Sequence, residues 1–73
     1  MDKTKKIIYY CTMIINMFAK KFKVSIRDAY LYLNQYKSME FLIDYYEINH
    51  TLNPDDVVDD LIVICERNGG KLL

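Results

Sequence analysis

Apolar residues recur at intervals of three and four along the first third of the chain, and this spacing restricts the fold more than any other feature. It predicts a long amphipathic helix over residues 4 to about 21. The apolar face of this helix consists of Ile7, Cys11, Ile14, Ile15, Phe18 and Phe22. A strand would need alternation with a period of two, and no segment keeps that alternation over strand length.

Two shorter helices are predicted in the middle of the chain. Ser25 occupies an N-cap position, and Asp28 three residues later can face the unpaired amides of the first turn. Apolar residues continue at helical spacing, so we expect a helix over residues 26–36. The pattern resumes after a short break and predicts a third helix over residues 39–47. The β-branched and aromatic residues at 44–48 keep a short strand at these positions as an alternative.

The last predicted helix carries the strongest local signals. Asn53 is a preferred N-cap residue, and Pro54 follows at the first helical position, where its missing amide hydrogen costs no hydrogen bond. Two aspartates then place negative charge in the first turn, where the helix dipole favours it. The glycine pair at positions 69 and 70 stops the helix, so we expect it to end at about Asn68.

The length of 73 residues limits the chain to one modest core. A domain of this size buries only about 60% of the surface that its unfolded chain exposes, which leaves no room for a deep cofactor cleft. With 52% hydrophobic residues, two glycines and one proline, the chain is too apolar to be a disordered tail or a linker. We therefore expect a single all-α domain over residues 1–73, a compact bundle of about four short helices without a cofactor.

The cysteine count favours a cytoplasmic protein. Cys11 and Cys65 are too few for the disulfide framework of a small secreted domain, and both lie on apolar helix faces, so we expect reduced thiols in the core. The basic start and the apolar stretch at residues 7–19 are superficially similar to a signal peptide. Thr12 and Asn16 interrupt this stretch, and no Ala-x-Ala cleavage site follows it. The same interruptions argue against a membrane-spanning helix.

The formal net charge of zero conceals a basic and an acidic half. Residues 1–37 carry eight basic and two acidic side chains, and residues 38–73 carry the reverse. The simpler interpretation is that the two halves pack together and complement each other. The alternative is a small helix-turn-helix-like regulator that binds nucleic acid, with phosphate contacts from Lys20, Lys21, Lys23 and Arg27. Because such modules are usually net basic, nucleic acid is the less favoured partner.

The predicted first helix is apolar beyond the face that three short helices can cover. The additional apolar side chains are Ile8, Tyr9, Tyr10, Met13 and Met17. A helix that is apolar nearly all round tends to be buried, and in so small a domain the surplus would meet a second chain. That chain would be a protein partner or another copy in a homo-oligomer. The alternative is that these side chains lie half-exposed on the monomer.

The single histidine, His50, lies in a loop close in sequence to several carboxylates. No second histidine and no nucleophile at recognisable spacing accompanies it, so we expect no catalytic site and no enzyme. We expect His50 to cap the preceding helix and Thr51 to hydrogen-bond locally. The aspartates that begin the last helix are typical of a stabilised N-terminus. They lack the glycine and the final glutamate of a calcium-binding loop, so no metal site is predicted.

Several short motifs resemble a family of small bacterial proteins of unknown function, the family numbered 3791. These motifs are Tyr46-Glu-Ile-Asn-His50-Thr51, Asp56-Val-Val-Asp59-Asp60-Leu, Cys65-Glu-Arg67-Asn68-Gly69-Gly70, Ala29-Tyr-Leu-Tyr-Leu33 and Gln35-Tyr36, and they span nearly the whole chain. Ile48-Asn49 departs from the family pattern, in which valine or leucine commonly precedes the variable residue. Members are frequently encoded beside a protein similar to ADP-ribosyltransferases. The resemblance therefore implies an accessory or antitoxin-like component that binds the neighbouring protein.

Together these patterns favour a non-enzymatic protein-protein interaction module. Its predicted contact surface combines the surplus apolar face of the first helix with the loop around His50. The residues of this surface are Ile8, Tyr10, Met13, Met17, Tyr46, His50 and Thr51.

Overall fold

The fold is known from a computed structural model that describes residues 2–71. Five helices follow one another: α1 (Lys3–Phe22), α2 (Ile26–Gln35), α3 (Ser38–Asp44), α4 (Tyr46–Asn49) and α5 (Pro54–Arg67). These residues contain no strand, so the predicted all-α bundle is confirmed. No helix among them is both long enough and apolar enough to cross a membrane.

Side-chain caps fix two of the helix starts at their predicted positions. The hydroxyl of Ser25 accepts a hydrogen bond from the amide of Asp28 at 3.0 Å, and α2 begins directly after it. The side chain of Asn53 accepts one from the amide of Asp55 at 2.9 Å and starts α5. Gly69 follows α5 with φ of 93°, a conformation that glycine adopts without strain. The predicted stop after α5 is therefore confirmed.

The prediction of one helix over residues 39–47 is wrong. α3 ends at Asp44, and Tyr45 departs from helical geometry with φ of −108° and ψ of 27°. A separate single turn, α4, follows at Tyr46–Asn49, so the short strand left open for residues 44–48 is also excluded. The break lets the ring of Tyr46 turn inward, where it meets the ring of Tyr10 on α1.

The core lies between α1, α2, α3 and α5. Its buried apolar side chains are Cys11, Ile14, Ile15, Phe18, Ala19, Ala29, Leu33, Met39, Leu42, Val57, Val58, Leu61 and Cys65. Both cysteines are free thiols within this core, as the sequence predicts. Burial raises the pKa of each thiol, which makes both thiols poor nucleophiles at neutral pH.

A buried hydroxyl ties α3 to α5 inside the core. Ser38 is the first residue of α3, and its Oγ donates to the carbonyl oxygen of Leu61 at 2.8 Å. The same Oγ lies 3.0 Å from Sγ of Cys65, one turn further along α5. A fully buried serine is tolerated here because its polar atom has these partners.

Within residues 2–71, two ion pairs join the basic half of the chain to the acidic half. Nζ of Lys3 lies 2.7 Å from Oε1 of Glu47, and Nζ of Lys21 lies 3.1 Å from Oδ1 of Asp59. Both pairs are exposed to solvent, so they add little stability. They agree with the simpler interpretation of the charge pattern, in which the two halves complement each other within one domain.

Candidate protein-binding surface

The structure divides the surplus apolar residues of α1 into two groups. Ile8 is exposed, and Met13 is 42% exposed. Tyr10 and Met17 are partly buried and pack against the core, which corrects the expectation that they form free apolar surface. Both lie within three or four positions of Ile14, which is fully buried, so they occupy the edge of the buried face.

Tyr10, Tyr46 and His50 form a continuous run of rings that joins α1 to α4. The Tyr10 ring meets the Tyr46 ring edge-on, with 5.4 Å between the centroids. The Tyr46 ring stacks on the His50 imidazole at 4.6 Å, with only 10° between the planes. We call these three residues the aromatic junction. It joins α1 to the His50 loop, but Tyr46 is only 9% exposed, which corrects the expectation that Tyr46 is a contact residue. Of the three junction residues, only His50 is exposed.

Local hydrogen bonds hold the end of α4 in shape. Nδ1 of His50 lies 2.8 Å from the carbonyl oxygen of Tyr46, and the hydroxyl of Thr51 donates to the carbonyl oxygen of Ile48 at 2.7 Å. The predicted capping role of His50 and the predicted local bond of Thr51 are both confirmed. The imidazole remains exposed beyond its contact with Tyr46, so it forms part of the surface.

An outward apolar stripe runs along α4 and the turn that follows it. Tyr45, Ile48 and Leu52 are all exposed, and the Ile48 side chain reaches 61%. Their spacing of three and then four residues was a signal available in the sequence. It was missed because the predicted third helix ended at residue 47. We call these three residues the outer stripe, and they give the segment around α4 apolar surface that is open to solvent.

Charge borders the junction on the α1 side. The hydrogen bond between Lys3 and Glu47 raises the pKa of the Lys3 ammonium and lowers the pKa of the Glu47 carboxyl. Both groups are thus charged at neutral pH, and they give the apolar surface a polar edge. Burial raises the pKa of the Tyr10 phenol, which stays protonated at neutral pH.

Two polar atoms beneath α4 lack hydrogen-bond partners within the described residues. One is the Tyr10 hydroxyl oxygen, and the other is the side-chain nitrogen of Asn49. Asn49 is only 3% exposed, so its amide is removed from bulk water. Tyr10 belongs to the contact between α1 and α4, and Asn49 is the last residue of α4. Such groups are rare in folded proteins and call for an explanation.

The residues of the nucleic-acid alternative cluster around the turn between α1 and α2. We call them the α1–α2 cations, and they are Lys20, Lys21, Lys23 and Arg27, all exposed. Lys21 is paired with Asp59 of α5, so part of their positive charge is compensated within the domain. Lys23 ends α1 in a left-handed conformation with φ of 56°.

Residues 2–71 offer no group of three or more His, Cys, Asp or Glu side chains that could hold a metal ion. A shallow cavity of about 380 Å³ lies between the ends of α1, α2 and α5. The residues that line it are Phe18, Phe22, Tyr32, Ile62, Glu66, Gly70 and Lys71. It includes neither the aromatic junction nor the outer stripe, and no residue of the predicted contact surface lines it.

Comparison with family models places the chain among known sequences. Residues 9–68 match the family described as "Protein of unknown function (DUF3791)". Neither a curated protein nor a solved structure matches the chain. The matched segment contains the whole aromatic junction and the outer stripe. Because the match covers most of the chain, this protein belongs to the DUF3791 family.

Proposed function

We propose that the chain is a non-enzymatic protein-binding module and that it docks its partner through the surface around α4. The observation that carries this proposal is the exposed apolar group Tyr45, Ile48 and Leu52, which the contact of Tyr46 with Tyr10 holds against α1. Aromatic side chains are enriched at the centres of protein interfaces because they bury large areas at a low cost in conformational entropy.

Binding of a partner to the outer stripe would remove apolar surface from water, which stabilises an interface. Three exposed apolar side chains lie within eight consecutive residues. Grouped apolar exposure of this kind marks interaction sites, whereas single exposed apolar residues need no explanation. The charged groups of Lys3 and Glu47 give the surface the polar rim that is typical of interfaces.

The partner that we propose is an ADP-ribosyltransferase-like protein, with this chain as its accessory or antitoxin-like component in a bacterial cytoplasm. This partner class follows from the resemblance described for the sequence. A second copy of the chain is the competing occupant of the same surface. The homo-oligomer would bury the outer stripe in the absence of any other protein.

Co-purification with surface variants tests the proposal. Ile48→Asp places a charge in the middle of the outer stripe without touching the core. Val63→Asp is the matched control, since Val63 is also an exposed aliphatic residue, at 46%, but lies on α5. We expect the wild type and Val63→Asp to retain the ADP-ribosyltransferase-like protein and Ile48→Asp to lose it.

Light scattering of the purified chain separates the two occupants. A wild-type dimer that Ile48→Asp converts to monomer would assign the surface to self-association. Equal retention of the ADP-ribosyltransferase-like protein by all three chains, together with a monomer throughout, would contradict the proposal.

A further inference from the structure

We propose that the cavity between the ends of α1, α2 and α5 binds a small organic cation, an amine whose ammonium group is attached to an apolar body. The site is independent of the proposed protein-binding surface, because no residue of the aromatic junction or of the outer stripe lines it. Its volume of about 380 Å³ lies at the small end of the range of ligand pockets, which is about 300 to 1,000 Å³. It therefore has room for a ligand of modest size.

Three helices give this cavity mostly apolar walls. Phe18 and Phe22 lie one turn apart on the same face of α1, with 4.7 Å between their ring centroids. Ile62 of α5 and the ring of Tyr32 on α2 complete the apolar lining. The apolar body of a ligand would leave water on entering such a cavity, which favours its binding.

The ring of Tyr32 forms a fixed wall of the cavity. Its centroid lies 6.1 Å from that of Phe18 and 4.9 Å from that of Tyr36. The backbone of Gly70 packs against the hydroxyl end of the ring, where a Cβ would lie only 2.6 Å from the hydroxyl oxygen. These neighbours hold the ring in place without a ligand. The face of a tyrosine ring attracts cations, so this wall favours an ammonium group.

The charged side chains around this wall are more acidic than basic. Glu66 of α5 and Lys71 both line the cavity. A second cavity of about 190 Å³ shares Tyr32 and Lys71 with the first, and Asp28 also lines it. Two carboxylates and one ammonium group therefore line the two cavities, which gives them a net charge of −1. The ion pairs within residues 2–71 involve neither of these carboxylates.

The negative charge of Glu66 acts at the Tyr32 ring. Burial raises the pKa of the Tyr32 phenol, and the charge of Glu66 raises it further. An ammonium group between these two residues would be attracted both by the carboxylate and by the ring face. A carboxylate at the same place would be repelled by Glu66 and attracted by Lys71. The charge of the ligand is therefore the property to test.

Three ligands of nearly equal size and different charge test the site. They are 2-phenylethylamine, a cation at neutral pH, 2-phenylethanol, which is neutral, and phenylacetate, an anion. Each is titrated into the nitrogen-15-labelled chain, and NMR shows which backbone amides change their chemical shifts. We expect the amine to bind most tightly, with a Kd of about 1 mM or less, since ligands this small bind weakly. The largest shifts should lie at the ends of α1 and α5 that line the cavity.

Glu66→Gln and Glu40→Gln separate a specific contact from general attraction. Both residues are exposed glutamates, but Glu40 lies on α3 and lines neither cavity. Glu66→Gln should weaken binding of the amine by about threefold to fivefold, as expected for an exposed charge, and leave binding of 2-phenylethanol unchanged. Glu40→Gln should change neither. Circular dichroism checks that both variants keep the helical content of the wild type.

Three outcomes would overturn the inference. Phenylacetate that binds as tightly as the amine would show that the site does not select a cation. Shifts confined to other surfaces, or no shift with any of the ligands at about 10 mM, would show that the cavity binds none of them. Equal weakening by Glu66→Gln and Glu40→Gln would assign the attraction to the chain as a whole. None of these results bears on the protein-binding surface, which the comparison of Ile48→Asp with Val63→Asp decides.

Discussion

Met13 and Met17 give the most direct test of how α1 is buried. The two residues are one turn apart and chemically identical, and the sequence alone assigns both to surplus apolar surface. In the structure Met13 is 42% exposed, whereas Met17 packs against the core. Replacing each in turn by glutamate therefore compares a surface position with a core-edge position on the same helix.

The expected magnitudes follow from this difference in burial. Full burial of a methionine side chain stabilises by about 1.5 to 3 kcal/mol, so a partly buried Met17 contributes about 1 to 2 kcal/mol. In a domain of this size Met17→Glu should then lower the Tm by about 5 to 15 °C. Met13→Glu should change the free energy of unfolding by about 0.5 kcal/mol or less.

Thermal unfolding followed by far-ultraviolet circular dichroism measures both variants. Light scattering at the same concentration shows whether either change acts through self-association. If Met13→Glu lowers the Tm as much as Met17→Glu does, the division of the α1 face into core edge and free surface is refuted.

Three further results are expected. In Gly70→Ala the new Cβ would lie 2.6 Å from the Tyr32 hydroxyl oxygen and 2.9 Å from the Cys65 carbonyl oxygen. Because both distances are too short, the free energy of unfolding measured in urea should fall by about 1 to 3 kcal/mol. Burial raises the pKa of both thiols, so above about pH 9 the folded chain keeps protons that the unfolded chain releases. The free energy of unfolding from urea titrations should therefore not depend on these thiols below about pH 9, and it should fall above that pH. Fluorescence anisotropy should detect no binding of duplex DNA at physiological salt. Micromolar, salt-dependent binding that is abolished by replacing the α1–α2 cations would favour the nucleic-acid alternative.

The features that the sequence predicts well are those decided within a few residues. The caps at Ser25 and Asn53 and the stop at Gly69 depend on local hydrogen bonds and on glycine's access to positive φ, and all three lie where the pattern put them. The buried positions Cys11, Ile14, Ile15 and Phe18 of α1 follow from helical spacing in the same way, as does Cys65 of α5. Asp2 also caps α1, by accepting a hydrogen bond from the amide of Lys5, and starts the helix one residue earlier than apolar spacing indicates.

The break at Tyr45 could not be predicted, because neither glycine nor proline marks it. It is associated with a contact between residues far apart in the chain, the packing of Tyr46 against Tyr10. The choice of residues that form the candidate surface depends on the same contact, because it partly covers Tyr10 and brings the rings of Tyr10, Tyr46 and His50 together. The sequence therefore supplied the three junction residues but not their arrangement or the burial of Tyr46, and it missed the outer stripe that begins at the break.

Site-specific photo-crosslinking in the native cell tests the proposed docking surface most directly. A photoreactive phenylalanine analogue would replace Ile48 in one chain and Val63 in another, since both side chains are exposed and neither belongs to the buried core. We predict that light produces a covalent adduct between position 48 and an ADP-ribosyltransferase-like protein, identified by mass spectrometry, and no such adduct from position 63. An adduct from position 63 alone, or none from position 48, would contradict docking through the surface around α4.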